Sequence, residues 1–307
     1  MLKTSDLTLL LWFTTVAKLI CGRGGIILPA VLKTEFIKLF RKKEFNMVLT
    51  LEIVLICTLF DLRALTYYKA PTSELPSAYQ MWIGYINSNV RFIDFSYIGD
   101  IYYLFFLTLP ASIVFADTYL EDKKGNVLNF IITRCDKSLY VLSKGIVVFF
   151  SGFIIIFLPL LLDQLLYIIA FPLYAISEVN AGNPVYDKYY LTQIYFKNLH
   201  TLNPYLHNLL YIFLDGFFGG TIAVLSYAVS FFKKVNRYIV VVLPTILFLT
   251  QNFIFALLGK TNYCLSYYLN VSPSIGGLDY KVFEYSILGV LIASLFMIVL
   301  NAKGEEI

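Results

Sequence analysis

Six apolar stretches recur along the chain, at about 46–66, 97–116, 145–165, 208–231, 238–258 and 283–301, each bounded by polar or basic segments. Their lengths approach the ~20 residues with which an α-helix crosses a bilayer. Runs such as Tyr238–Gly259 and Gly145–Leu162 carry no charge at all. The pattern predicts an all-α, polytopic membrane protein with six transmembrane helices over residues 46–301. The first stretch is the weakest, because Glu52 interrupts it and Asp61 and Arg63 crowd its far end. A charge at mid-helix costs roughly 2.5–3.5 kcal/mol on insertion, so Glu52 is expected to face protein or to lie near an interface. The third stretch is overlong. Its apolar character continues past Asp163 and Gln164 to Ile176, and Pro159 and Pro172 predict a kinked span followed by a short helix on the outer surface.

The first 45 residues read as an N-terminal cytoplasmic and interfacial segment. Leu7–Ala17 is too short to span and has basic residues on both flanks. A cleaved signal peptide is disfavoured, since Lys18 and Arg23 sit where small residues should mark the cleavage site. The stretch Val31–Phe45 mixes Leu32, Phe36, Ile37, Leu39 and Phe40 with Lys33, Lys38, Arg41, Lys42 and Lys43. That is an amphipathic helix lying in the interface, its basic side toward anionic headgroups. A seven-span arrangement, with Leu7–Leu28 crossing, is the alternative.

Composition strengthens the membrane reading. Hydrophobic residues make up 59% of the chain and charged residues 14%, with a mean hydropathy of +0.73; soluble domains carry about 25% charge. The net charge of +4 matters through its placement. With both termini inside, seventeen Lys and Arg fall on the inner side and seven on the outer, the inner ones including five in the 117–144 loop. The positive-inside rule therefore places the 302–307 tail in the cytoplasm too. Tyrosines at 67, 68, 79 and 85, Trp82 and the 186–195 cluster fall on the outer side, as interfacial aromatics do. No soluble basic face is available for nucleic acid.

Catalytic and metal signatures are missing. There is no GxxxxGK[ST] and no HExxH. His200 and His207, seven apart, are too widely spaced for an i, i+4 metal pair and read as unpaired imidazoles. The four cysteines show no paired spacing. Ionisable or polar residues inside spans are functional suspects by default: here Glu52, Asp163, Asp215 and Gln251. Asp163 and Asp215 are expected near the outer interface, where water makes charge inexpensive. Gly216, Gly219 and Gly220 predict a small-residue face for close helix packing.

The loop Asp117–Lys144 is the most informative segment. It runs from an acidic stretch at Glu121 and Asp122 through Gly125 into a short apolar helix, then Thr133-Arg134, then Tyr140 and Ser143-Lys144. Val127, Leu128, Ile131 and Ile132 form one helical stripe. On the cytoplasmic side such a stripe is an exposed patch suited to a protein partner. These features, in this order, resemble the coupling-helix region of ABC type-2 permeases, the membrane subunits of bacterial ABC exporters. In that family an acidic-x3-Gly segment precedes an apolar helix, a Ser/Thr-Arg pair and a Tyr-x2-(Ser/Gly)-Lys entry to the third span. The stretch Asn203–Leu209, continuing through Asp215–Gly220, resembles the start of the family's fourth span, and 31–45 resembles its elbow helix.

The resemblance implies a subunit of a larger transporter: two permease copies or a permease and a paralogue, with two separate ATPase subunits in the bacterial cytoplasmic membrane. ATP and Mg would bind the partner ATPase, and this chain would hold no cofactor and catalyse nothing. Glu121, Gly125, Val127, Leu128, Ile131, Ile132 and Arg134 would couple ATPase closure to the spans. A standalone secondary transporter or channel, and a peptide-immunity protein on the same fold, are the alternatives.

Overall fold

The computed structural model describes residues 27–71, 75–84, 101–133, 135–173, 195–232, 235–271 and 278–303. Their regular structure is helical throughout, and no strand occurs among the described residues. The chain opens with α1 (Ile27–Arg41) and α2 (Lys43–Thr66), followed by the short α3 (Ala78–Met81). A π-helical turn at Tyr102–Phe106 leads into α4 (Thr108–Ile113). Two short helices, α5 (Thr118–Lys124) and α6 (Val127–Ile132), precede α7 (Lys137–Ala170). Then come α8 (Lys197–Leu202), α9 (Pro204–Val229), α10 (Arg237–Leu257), the short α11 (Ser266–Leu269) and α12 (Tyr280–Ala302).

Five of these, α2, α7, α9, α10 and α12, are long and apolar enough to cross a membrane. The second stretch predicted from sequence is described only from residue 101, where it is broken into the π-helical turn and α4. The N-terminal run as far as residue 26 lies outside the described residues, and so does the question of whether it crosses.

Helix ends follow local chemistry. Asn203 stops α8 and starts α9: its side-chain oxygen accepts from the N–H groups of Tyr205 and Leu206 at 3.1 Å, with Pro204 in the first turn. Asn236 and Asp279 cap α10 and α12 in the same manner. The amphipathic helix predicted at 31–45 ends at Arg41, because Lys42 is extended, and α2 begins three residues before the predicted span. Pro159 does not divide the third span. α7 runs unbroken through it to Ala170, and Pro172 follows its end, so the separate outer-surface helix expected there is absent as far as residue 173.

The core forms around α7 and α9, which share the largest helix contact. Missing side chains allow it. A Cβ on Gly152 would lie 2.6 Å from the Gly219 carbonyl oxygen, and one on Gly220 would lie 2.9 Å from that of Phe149. Gly216 faces Phe153 and Phe157 in the same seam, so the glycine face acts in packing as expected. The outer helices instead expose apolar residues: Met47, Leu51 and Val54 on α2, Leu247 and Phe253 on α10, Ile292 and Phe296 on α12. An apolar belt of this extent suits hydrocarbon and not water.

Candidate functional site

Polar side chains gather in two places, one at the end of the bundle that carries Lys42, α5, α6 and Arg237, the other in its interior. At the charged end Asp117 is the node. It is fully buried; Lys42 Nζ donates to its Oδ1 at 2.9 Å, and Arg237 Nε forms an ion pair with Oδ2. Lys42 also donates to Glu121 at 3.1 Å, and Arg237 to Glu44 at 3.1 Å. These bonds join the hinge between α1 and α2 to α5 and to the first residue of α10. A second set joins α1, α5 and α7. Lys144, only 1% exposed, pairs with Asp122 and lies 3.6 Å from Glu35, which Lys38 approaches at 2.7 Å. The Tyr140 hydroxyl also donates to Asp122. Burial pushes the Asp122 carboxyl up, but Lys144 and Tyr140 more than reverse this and hold it below the ordinary carboxylate range. A groove of about 490 Å³ runs between these sets, lined by Ile37, Arg41, Phe115 and Thr118 among others.

The residues assigned to coupling divide here. Glu121 belongs to the ion-pair network. Gly125 ends α5, its N–H bonded to the Glu121 carbonyl at 2.9 Å, but the left-handed residue of the turn is Asn126, at φ 57°. The expected four-residue stripe is turned. Leu128 and Ile131 pack against the core, whereas Val127 is 41% and Phe130 72% exposed. The protruding apolar pair is therefore Val127 and Phe130. Sequence periodicity misses Phe130 because α6 lies against the bundle and sends its Leu128 and Ile131 face inward. The side chain of Ile132, and Arg134 altogether, lie outside the described residues.

In the interior, Glu52, Asp163 and Asp215 are each at most 1% exposed, so protein and not the expected water surrounds Asp163 and Asp215. Asp163 accepts the Ile83 N–H at 2.7 Å, and Asp215 accepts from the Tyr103 hydroxyl at 3.3 Å. Glu52 faces protein, and neither of its oxygens has a hydrogen-bond partner. Arg63 is the basic group that acts on Asp163, and it donates to the Met81 carbonyl at 2.7 Å. Gln251 stands apart: its side chain clamps the turn at Tyr263 and Leu265.

Comparison of the chain with protein-family models, with curated proteins and with solved structures returned no match. The functional reading accordingly rests on the residues themselves.

The histidines are not unpaired. Asn203 folds α8 back on α9, so that His200 Nδ1 lies 3.3 Å from His207 Nδ1, and both rings are fully buried. His207 Nε2 is 2.7 Å from the Tyr195 carbonyl, which can only accept. Its Nδ1 is then an acceptor, and His200 Nδ1 carries the donated hydrogen. Two neutral rings with fixed tautomers thus satisfy their facing Nδ1 atoms. Among the described residues no group of three His, Cys, Asp or Glu could hold a metal ion.

Proposed function

We propose that this chain is the membrane-spanning permease subunit of an ATP-binding cassette exporter, moving an amphipathic peptide, lipid or drug-like molecule with the help of separate ATPase subunits. One observation supports it most. The exposed pair Val127 and Phe130 stands on a short helix directly after α5, whose acids are ion-paired to the α1–α2 hinge, α7 and α10. A push on α6 would reach three long helices through charged contacts in place of flexible loop. In this reading α1 is the elbow helix, α6 the coupling helix, and the charged end is cytoplasmic. The partial described second segment then completes six spans, and a second permease copy or paralogue completes the pore. Coupling follows from a rigid interface helix biasing a bistable bundle.

Replacing Phe130 by Asp, alone and with Val127→Asp, tests this directly. Co-purification with the ATPase encoded nearest to the chain is expected to fall about tenfold or more, as loss of an interface hot spot does, while membrane insertion is unchanged. Undiminished co-purification would sink the reading. A standalone secondary transporter keeps a claim through one observation: buried carboxylates on three long helices, the equipment of ion coupling. Transport activity in reconstituted vesicles without any ATPase would favour it.

A further inference from the structure

Four helical elements send polar groups to one place inside the bundle. Glu52 comes from α2, Asp163 from α7, Asp215 from α9, and Tyr102 and Tyr103 from the π-helical turn, and all five are at most 1% exposed. The Tyr102 hydroxyl lies within electrostatic reach of all three carboxylates, yet it has no hydrogen-bond partner. Neither Glu52 oxygen has a partner, nor has Oδ1 of Asp215. The neighbouring titratable groups are Arg63 and Tyr167 beside Asp163, and Tyr211 beside Asp215. Three acids thus face one base among the described residues. An uncompensated carboxylate in apolar surroundings costs several kcal/mol, so the cluster calls for positive charge beyond what the described residues supply.

Part of the cluster is closely packed. Trp82 and Tyr103 close over Gly84, where even a Cβ would fall 2.3 Å from the indole and 2.7 Å from the tyrosine oxygen. The carboxylates are not grouped tightly enough to cage a metal ion. A proton needs no volume. The π-helical turn that delivers two consecutive tyrosines to the cluster is a distortion frequent at functional sites. We infer that Glu52, Asp163 and Asp215, with Tyr102 and Tyr103, form a proton-binding site inside the bundle that links the chain's conformational cycle to proton uptake and release. Uptake adds a proton to a carboxylate oxygen, giving a carboxylic acid whose O–H can donate to a tyrosine oxygen. Release returns the proton to water and restores the carboxylate, with no other bond made or broken. The inference goes beyond the permease reading and requires neither α6 nor an ATPase.

Infrared difference spectra of the full chain in lipid nanodiscs, between mildly acidic and mildly alkaline buffer, read protonated carboxyl groups directly. The wild-type chain is expected to show a pH-dependent carboxyl band that shifts in heavy water. Glu52→Gln and Asp215→Asn should each remove part of it, and Phe130→Asp, which tests ATPase docking, should leave it whole. A wild-type spectrum without such a band overturns the inference whether or not the variants fold. So does a band that survives in Glu52→Gln, Asp163→Asn and Asp215→Asn alike. A band that follows sodium-for-potassium exchange at fixed pH would transfer the site to an alkali cation and overturn the proton assignment.

Discussion

The charged end and the interior cluster use the same acidic residues under opposite rules. At the charged end each buried or half-buried acid among the described residues has a cation: Asp117 has Lys42 and Arg237, Asp122 has Lys144, and Glu35 has Lys38 and Lys144. In the interior, Glu52 has none, and Asp215 has one weak tyrosine donor. A fully paired network fixes one arrangement of the elements it joins, because removing either partner strands the other. Under-satisfied acids fix nothing. They are costly in the resting fold and become favourable only when a ligand arrives. On the readings proposed above, the first region transmits force and the second binds a proton, and the contrast can be broken by showing that the two respond alike to substitution.

The largest effect is expected at Lys144. Replacing it by Met retains the apolar stem but takes the ammonium group from half-buried Asp122 and leaves Glu35 with Lys38 alone. Loss of one partner of a buried pair costs about 3–5 kcal/mol. Thermal unfolding in detergent should show a marked drop in midpoint for Lys144→Met. Adding Asp122→Asn should recover part of it, since the stranded charge is then removed. Additive losses in the double variant would mean that the two groups do not act as a pair.

How much of this was legible in the chain depends on range. Uninterrupted apolar runs placed α7, α9, α10 and α12 within several residues, because span length is a local property of composition. The acidity of Glu121 and the presence of a short apolar helix after Gly125 were legible for the same reason. The pairing of Asp117 with Arg237 was not, since 120 residues separate them and only the packing of α10 against α4 brings the two ends together. Nor was the burial of Asp163 and Asp215: hydropathy locates a residue along a helix but does not say which face it occupies. A spacing of seven along one helix keeps the two histidines apart, whereas Asn203 divides the segment into two helices and brings them together.

A third polar site lies between these extremes and gives an intermediate effect. Burial, and then the neighbouring His207, lower the His200 imidazole to about 3. The ordinary value is near 6.5, so the unfolded chain takes up a proton in a range where the fold does not. Stability from this residue is therefore complete above 6.5 and is lost as the pH falls from 6.5 toward 3. One unit below 6.5 the loss is about 1.4 kcal/mol. Unfolding midpoints measured against pH should fall on the acid side for the wild-type chain. The fall should be shallower in His200→Asn, and equal slopes would show that the histidine pair does not carry the effect.

The smallest effect has the opposite sign and bears most directly on the contrast. Glu52 touches no donor, so replacing it by Leu removes a desolvated polar group and no bond. Exchanging an unsatisfied buried group for an apolar one of similar size is neutral or stabilising, here by about 1 kcal/mol. The midpoint for Glu52→Leu should equal or exceed that of the wild-type chain, even though Lys144→Met, at an equally buried position, is strongly destabilised. A large loss at Glu52 would mean that this acid holds the fold together as Asp122 does, and the division between a structural rim and a ligand-binding interior would fail. Equal or higher stability with altered proton binding would show an acid kept at a cost to the fold because its work lies elsewhere.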